Sequence, residues 1–212
     1  IVLFIAEAIT PGLGLLALGA RGMGLNMLLN QFGQSHKRRL KAYEDAGKPV
    51  WILKTVNCPE ALAIVKDNSF DLLVNARTRC IYKRPMLEAP RLGCINIHHG
   101  LLPWQRGTSC DMWNLSENQA TGFSIHCMVE KIDAGAIVKA VPINDGSERN
   151  YTTYLKQAVK RELEEIQNVL TALDVDESVL KGQPNIGPAG LKHHRTPTWR
   201  EIRAIRKSGL SL

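Results

Sequence analysis

Three polar residues stand where their types and spacing could carry out acyl transfer. Asn96 and His98 end the run Cys94-Ile95-Asn96-Ile97-His98, and Asp133 follows in Lys131-Ile132-Asp133-Ala134-Gly135. One residue separates Asn96 from His98, so on an extended strand both side chains leave the same face. When an amine attacks an amide carbonyl, the oxygen gains negative charge, the attacking nitrogen gains positive charge, and the departing nitrogen must be protonated. An Asn amide can donate to the oxyanion without titrating. An imidazole can stabilise that oxyanion or move protons near neutral pH, and an Asp can orient the imidazole and accept protons through water. Taken alone, Asn96 and His98 read as a strand end whose polar groups cap a loop; Asp133 in a glycine-flanked turn tips the reading towards catalysis.

Other candidates weigh less. Gly12-Leu13-Gly14-Leu15-Leu16-Ala17 follows a strand as a loose G-x-G-x-x-A, but no acidic residue ends a clear second strand, so plain turn chemistry is preferred to a dinucleotide. His98, His99, His126 and Asp133 fit no common zinc spacing, so no metal is expected, and His126 reads as a strand residue flanking the site. Arg106-Gly107 precedes a helix whose free N–H groups would favour an anion or developing negative charge. Trp104 and Trp113 are as readily packing residues as pocket walls.

The elements that must position these groups alternate. Residues 1–6 form an unbroken apolar run, the pattern of a strand buried on both faces and central in a parallel sheet. A glycine-rich crossing, a strand at 25–31, a basic helix at 35–46 ending at Gly47, and a strand at 50–54 follow. Asn57 and Pro59 open the next helix, and 70–74 returns to strand. This rhythm implies an α/β fold: a Rossmann-like, mostly parallel twisted sheet flanked by helices, with ligands beyond the carboxyl ends of the strands. Further on, 109–116 reads as helix, 123–128 and 136–143 as strands, and 151–173 as a long helix whose stripe Leu155, Val159, Leu163, Ile166 and Leu170 should face the core. Residues 181–197, rich in Gly, Pro and His, read as an extended tail, and Thr198-Trp199-Arg200-Glu201 has capping-box spacing for a last short helix. The division expected is a catalytic domain at 1–180 and a short C-terminal extension at 181–212.

Composition sets outer bounds. A chain of 212 residues can bury one full core, and 27 Lys and Arg against 20 Asp and Glu leave +7, which favours anionic partners. The basic clusters Lys37-Arg38-Arg39 and His193-His194-Arg195 lack interleaved aromatics, so nucleic acid is not the expected partner. Five cysteines without a C-x-x-C pair signal neither a disulfide framework nor zinc, and point to a reducing cytoplasm. Pro11, Gly12, Gly14 and Gly19 interrupt the apolar N-terminal run, so a trimmed first strand is expected in place of a membrane segment or signal.

The block Gly93-Cys94-Ile95-Asn96-Ile97-His98-His99-Gly100-Leu101-Leu102-Pro103, with Arg106-Gly107, Thr121-Gly122, His126 and Asp133-Ala134-Gly135, resembles the signature of the folate-dependent formyltransferases. That resemblance implies 10-formyltetrahydrofolate as formyl donor and co-substrate. It implies Asn96, His98 and Asp133 as the catalytic triad, with Asn96 and His98 stabilising the formyl oxygen and Asp133 assisting proton transfer. It further implies a folate pocket from Arg79, Cys80, Ile81 and Tyr82 together with Val129, Glu130, Lys131 and Ile132, many of the contacts being made by backbone. Purine-pathway and initiator-tRNA members commonly carry Pro-Ser after the catalytic His; His99-Gly100 resembles the sugar and small-amine formyltransferases instead. The acceptor expected is therefore the primary amine of a small anionic molecule, such as a nucleotide-linked amino sugar, and self-association of the chain stays open. Glycinamide ribonucleotide or initiator methionyl-tRNA as acceptor, a formyltetrahydrofolate hydrolase, and a non-catalytic folate- or nucleotide-binding domain are the alternatives.

Overall fold

The computed structural model describes the backbone of residues 2–6 and residues 41–76, 78, 80–191 and 193–212. The expected strand at 25–31, the glycine-rich stretch before it, the first half of the basic helix, Arg79 and Lys192 lie outside the described residues. Residues 41–45 are helical and stop where Gly47 takes φ +62, its N–H and that of Lys48 donating to Glu44 and Tyr43 carbonyls. That left-handed position at a helix end is one a glycine takes without a Cβ clash.

Parallel pairing joins β1 (Val2–Ala6) to β2 (Leu72–Ala76) and β2 to β3 (Cys94–His98). The chain then turns back: β5 (Thr121–Cys127) and β6 (Ile137–Asn144) are antiparallel to their neighbours, giving the order β1-β2-β3-β5-β6. Among the described residues β1 stands at one end of this sheet, not in its middle as its apolar run suggests. A separate two-stranded parallel pair joins β4 (Arg106–Gly107) to β7 (His193–His194).

Helices cover both faces. Helix α1 (Pro59–Asp67) starts where Cys58 Sγ accepts the Ala61 N–H, with Pro59 in its first turn, and buries Ala61 and Val65 one turn apart. Together with α2 (Arg84–Leu87) it covers Leu73 and Cys94 on one side of the sheet. On the other side, Leu72, Val74, Ile95, Ile97, Phe123, Ile125 and Val141 meet Ile166, Val169 and Leu173 of α4 (Tyr151–Val175). Helix α3 (Cys110–Ser116), the start of α4 and α5 (Trp199–Lys207) enclose a third cluster around Leu115 and Tyr154.

Two expectations need correction. Residues 50–54 are extended without joining a ladder among the described residues; Trp51 and Leu53 turn inward, Trp51 meeting Phe70 edge-on at 6.1 Å, while Val50 and Ile52 face out. Alternating burial is thus satisfied by packing alone. On α4, Val159 and Leu163 are exposed, at 40% and 62%, and the buried face runs through Tyr154, Ala158, Glu162, Ile166, Val169 and Leu173. The stripe is displaced because Glu162 and Glu165 turn inward to polar partners, the His99 ring for the first and the Arg161 and Lys139 cations for the second.

The C-terminal residues join the fold. Thr198 and Glu201 form the expected capping box, Ile202, Ile205 and Leu210 are buried in the third cluster, and Ser211 exchanges backbone bonds with Arg149 and Tyr151. Ile205→Ala is expected to lower global stability by about 2–4 kcal/mol. Urea unfolding checks this, and an unchanged midpoint would mean that α5 contributes nothing to the core.

Candidate active site

Strand β3 sends Ile95 and Ile97 into the α4-side core and Asn96 and His98 to the opposite face. Antiparallel register sets His126 directly across from Asn96 and Ser124 across from His98, while Asn75 lies beside Asn96 on β2. A row Asn75, Asn96, His126 therefore crosses three strands. Next to His126 the β5/β6 register slips by one residue, the kind of bulge that re-aims a side chain.

Hydrogen-bond chemistry assigns the ring protons. His126 Nδ1 lies 2.8 Å from the Cys127 carbonyl, which can only accept, so Nδ1 carries the hydrogen. Its Nε2 then accepts from Asn96 Nδ2 at 3.1 Å. Burial and the neighbouring His98 and Arg106 hold the His126 pKa below its ordinary value, in keeping with a neutral ring. His98 Nε2 donates to the Gln105 carbonyl at 2.7 Å, which leaves Nδ1 facing Asp133 Oδ1 at 3.7 Å. Among the described residues, that bond leaves the second amide hydrogen and the carbonyl of Asn96 for another partner.

Asp133 lies in the hairpin loop between β5 and β6, with φ +50, a left-handed conformation that Asp tolerates better than most residues. Its Oδ2 accepts the Gly107 N–H at 2.9 Å, and its Oδ1 stands 3.7 Å from His98 and 3.8 Å from His126. The loop closes tightly, since a Cβ on Gly135 would lie 1.9 Å from the Cys127 carbonyl oxygen. His98, His126 and Asp133 are 7%, 2% and 8% exposed, so their mutual field is little screened by water.

The loop after β3 is held by residues with no spacing signal in the sequence. Gln105 accepts from the Leu101 N–H and the Thr121 hydroxyl and donates to Ala120, while Ser124 accepts from Leu102 and donates to Gly100. A side chain at Gly100 would press on the Gln105 carbonyl and His98 Nε2, at 2.6 and 2.7 Å. His99 turns away from Asp133: Nδ1 meets Asp111 Oδ2 at 3.0 Å and Nε2 meets Glu162 Oε1 at 2.5 Å, with the Tyr151 hydroxyl also on Asp111.

Of the residues expected at a folate, Ile81, Val129 and Ile132 are exposed apolar side chains, and Glu130 and Lys131 are exposed beside them. Cys80 is half-buried, with Thr55 and Asn57 on its sulfur, and Asn57 also holds the Ile81 carbonyl. Tyr82 packs into the α1-side core, and burial pushes its hydroxyl pKa up. Trp104 is exposed, whereas Trp113 stacks on His194 at 6.1 Å and donates to the Arg195 carbonyl. Among the described residues, no group of three His, Cys, Asp or Glu side chains could hold a metal ion, and no helix is long and apolar enough to cross a membrane.

Because burial disfavours the charged ring, His126 resists protonation when folded, whereas the unfolded chain protonates it below about pH 6.5. The unfolded state therefore binds more protons there, and stability falls as pH drops. His126→Gln is expected to remove a slope of up to about 1.4 kcal/mol per pH unit below pH 6.5, measured as the difference between the two proteins' urea midpoints across pH. Parallel curves would count against a neutral His126.

An α/β sheet that presents an Asn and a His from one strand end, with a carboxylate on the adjoining hairpin loop, brings together groups whose chemistry suits acyl transfer. The chain belongs to the formyltransferase family, whose model matches residues 37–170. It is 34% identical over 140 residues to a methionyl-tRNA formyltransferase of Thiobacillus denitrificans, covering 61% of this chain and 45% of that protein. The chain thus spans about half the length of the curated relatives it matches. Its fold is shared with a phosphoribosylglycinamide formyltransferase from Streptococcus pneumoniae (TM-score 0.58, 16% identity, 81% of this chain and 97% of that one). It is shared also with a formyltransferase from Anoxybacillus kamchatkensis, solved in complex with UDP-4,6-dideoxy-4-formamido-L-AltNAc and tetrahydrofolate (TM-score 0.51, 20% identity, 79% of this chain and 92% of that one).

Proposed function

We propose that this protein transfers the formyl group of 10-formyltetrahydrofolate to the primary amine of a small anionic acceptor, a nucleotide-linked amino sugar being the favoured class. The observation that carries the reading is the buried approach of Asp133 to His98, with half-buried Asn96 two residues before His98 on the same face of β3, in a chain of this family. The amine nitrogen attacks the formyl carbon, and the oxyanion takes the second amide hydrogen of Asn96. His98 Nδ1, the ring nitrogen not committed to a carbonyl, takes the proton released by the attacking nitrogen, and Asp133 stabilises the imidazolium that results. The proton then passes to the departing folate nitrogen as the carbon–nitrogen bond breaks. Exposed Ile81, Val129 and Ile132 offer apolar contact for the donor's ring system.

Charged initiator tRNA is the second reading, favoured by the likeness to methionyl-tRNA formyltransferases and by the net charge of +7. Absorbance-monitored release of tetrahydrofolate, with a panel of nucleotide-linked amino sugars, glycinamide ribonucleotide and charged tRNA, separates the two. Release with an amino sugar alone supports the proposal, and release with tRNA alone replaces it. Release without any amine indicates a hydrolase, and donor binding without turnover a non-catalytic domain.

A further inference from the structure

We propose that the described residues 183–191, 193 and 194 form a strap that sets the catalytic turn, with Asn185 as the positioning residue for Asp133; the inference rests on the reading of Asp133 as catalytic. This segment lies beyond residues 37–170, the part matched by the family model. The chain is pinned at three places around the site. Gln183 exchanges both backbone bonds with Ile137 at the start of β6, at 2.8 and 2.9 Å. At the far end His193 and His194 pair with Arg106 and Gly107, so closely that a Cβ on Gly107 would lie 2.0 Å from the His194 carbonyl oxygen.

Between these points Asn185 reaches under the turn. Its Nδ2 donates one hydrogen to the Asp133 carbonyl at 2.9 Å and the other to the Gly135 carbonyl at 2.8 Å. Its own Oδ1 and backbone carbonyl accept from the Arg106 guanidinium at 2.8 and 3.0 Å. Arg106 is 7% exposed and is itself steadied by the Pro103 carbonyl. Only a primary amide offers two hydrogens on one nitrogen and an acceptor beside it, so the contact selects Asn by chemistry as well as by length.

The consequence falls on Asp133. A left-handed non-glycine residue persists where its surroundings over-determine it, and here the backbone is held by Asn185 while the carboxylate is held by the Gly107 N–H. Arg106 and Gly107 are adjacent, so one short strand anchors both the strap and the carboxylate. The strap thus fixes the line from Asp133 Oδ1 to His98 Nδ1 without touching either side chain.

Asn185→Ala is expected to lower kcat by on the order of 100-fold, with KM for 10-formyltetrahydrofolate changed by no more than about twofold and the thermal midpoint little moved. Asn185→Ser, which keeps one donor, carries the same test should the alanine variant not fold. In an Asp133→Asn background the Asn185 substitution should cost no more than about a further twofold, because the group it positions has gone. Full turnover in the Asn185 variants with an inactive Asp133→Asn overturns the strap and leaves the triad standing. A loss that multiplies with that of Asp133→Asn, or one confined to KM, also overturns it. Full turnover of Asp133→Asn alone overturns the triad reading and the strap together.

Discussion

Asp133→Asn is expected to reduce turnover of 10-formyltetrahydrofolate with its amine by on the order of 10²–10⁴-fold. Size is conserved, so the reason is donor geometry and charge. The position of Oδ2 is bound to the Gly107 N–H, which requires an acceptor there. An Asn at 133 must therefore place its carbonyl on Gly107 and turn its NH2 group towards His98 Nδ1. That nitrogen would then accept from the amide and lose both its freedom to take a proton and the negative charge that stabilises the imidazolium. The effect should fall on kcat, with little change in KM or in the urea midpoint. His98→Ala should fall at least as far, since among the described residues no other ring nitrogen near Asp133 is free: His126 Nε2 is taken by Asn96. Turnover retained in both variants would dismiss the mechanism.

His99→Ala is expected to destabilise the fold by about 3–5 kcal/mol. Both ring nitrogens of His99 face carboxylate oxygens, of Asp111 on α3 and Glu162 on α4, and both acids are buried, at 2% and 8% exposure. Removing the ring takes away the group that stands between two buried acids and ties the end of β3 to both helices. The urea midpoint reads the loss, and a change below about 1 kcal/mol would show that solvent or other partners serve the acids equally well.

Much of this was legible before any coordinates. The alternation of apolar strand runs with helix starts, the Cys58-Pro59 and Thr198-Glu201 helix openings, and the i, i+2 spacing of Asn96 and His98 are local patterns, because backbone dihedrals and side-chain direction repeat with a period set within a few residues. The misreadings came where partners are distant. On α4, apolarity alone chose Val159 and Leu163 for the core, whereas Glu162 is buried because His99 lies opposite. Trp51 and Leu53 alternate like a strand yet, among the described residues, find packing and no ladder.

The sequence by itself determined the class of fold, the formyltransferase signature and the three side chains able to manage an oxyanion and a proton. Tertiary structure decided the rest: that His126 faces Asn96 through antiparallel register, that Gly107 supplies the hydrogen bond holding Asp133, that Gln105 fixes the His98 tautomer, and that Asn185 reaches back to the Asp133 turn. Each of these joins groups separated along the chain by loops or whole elements. A hydrogen bond is specified by where two atoms end up in space, and only the folded sheet brings them within reach.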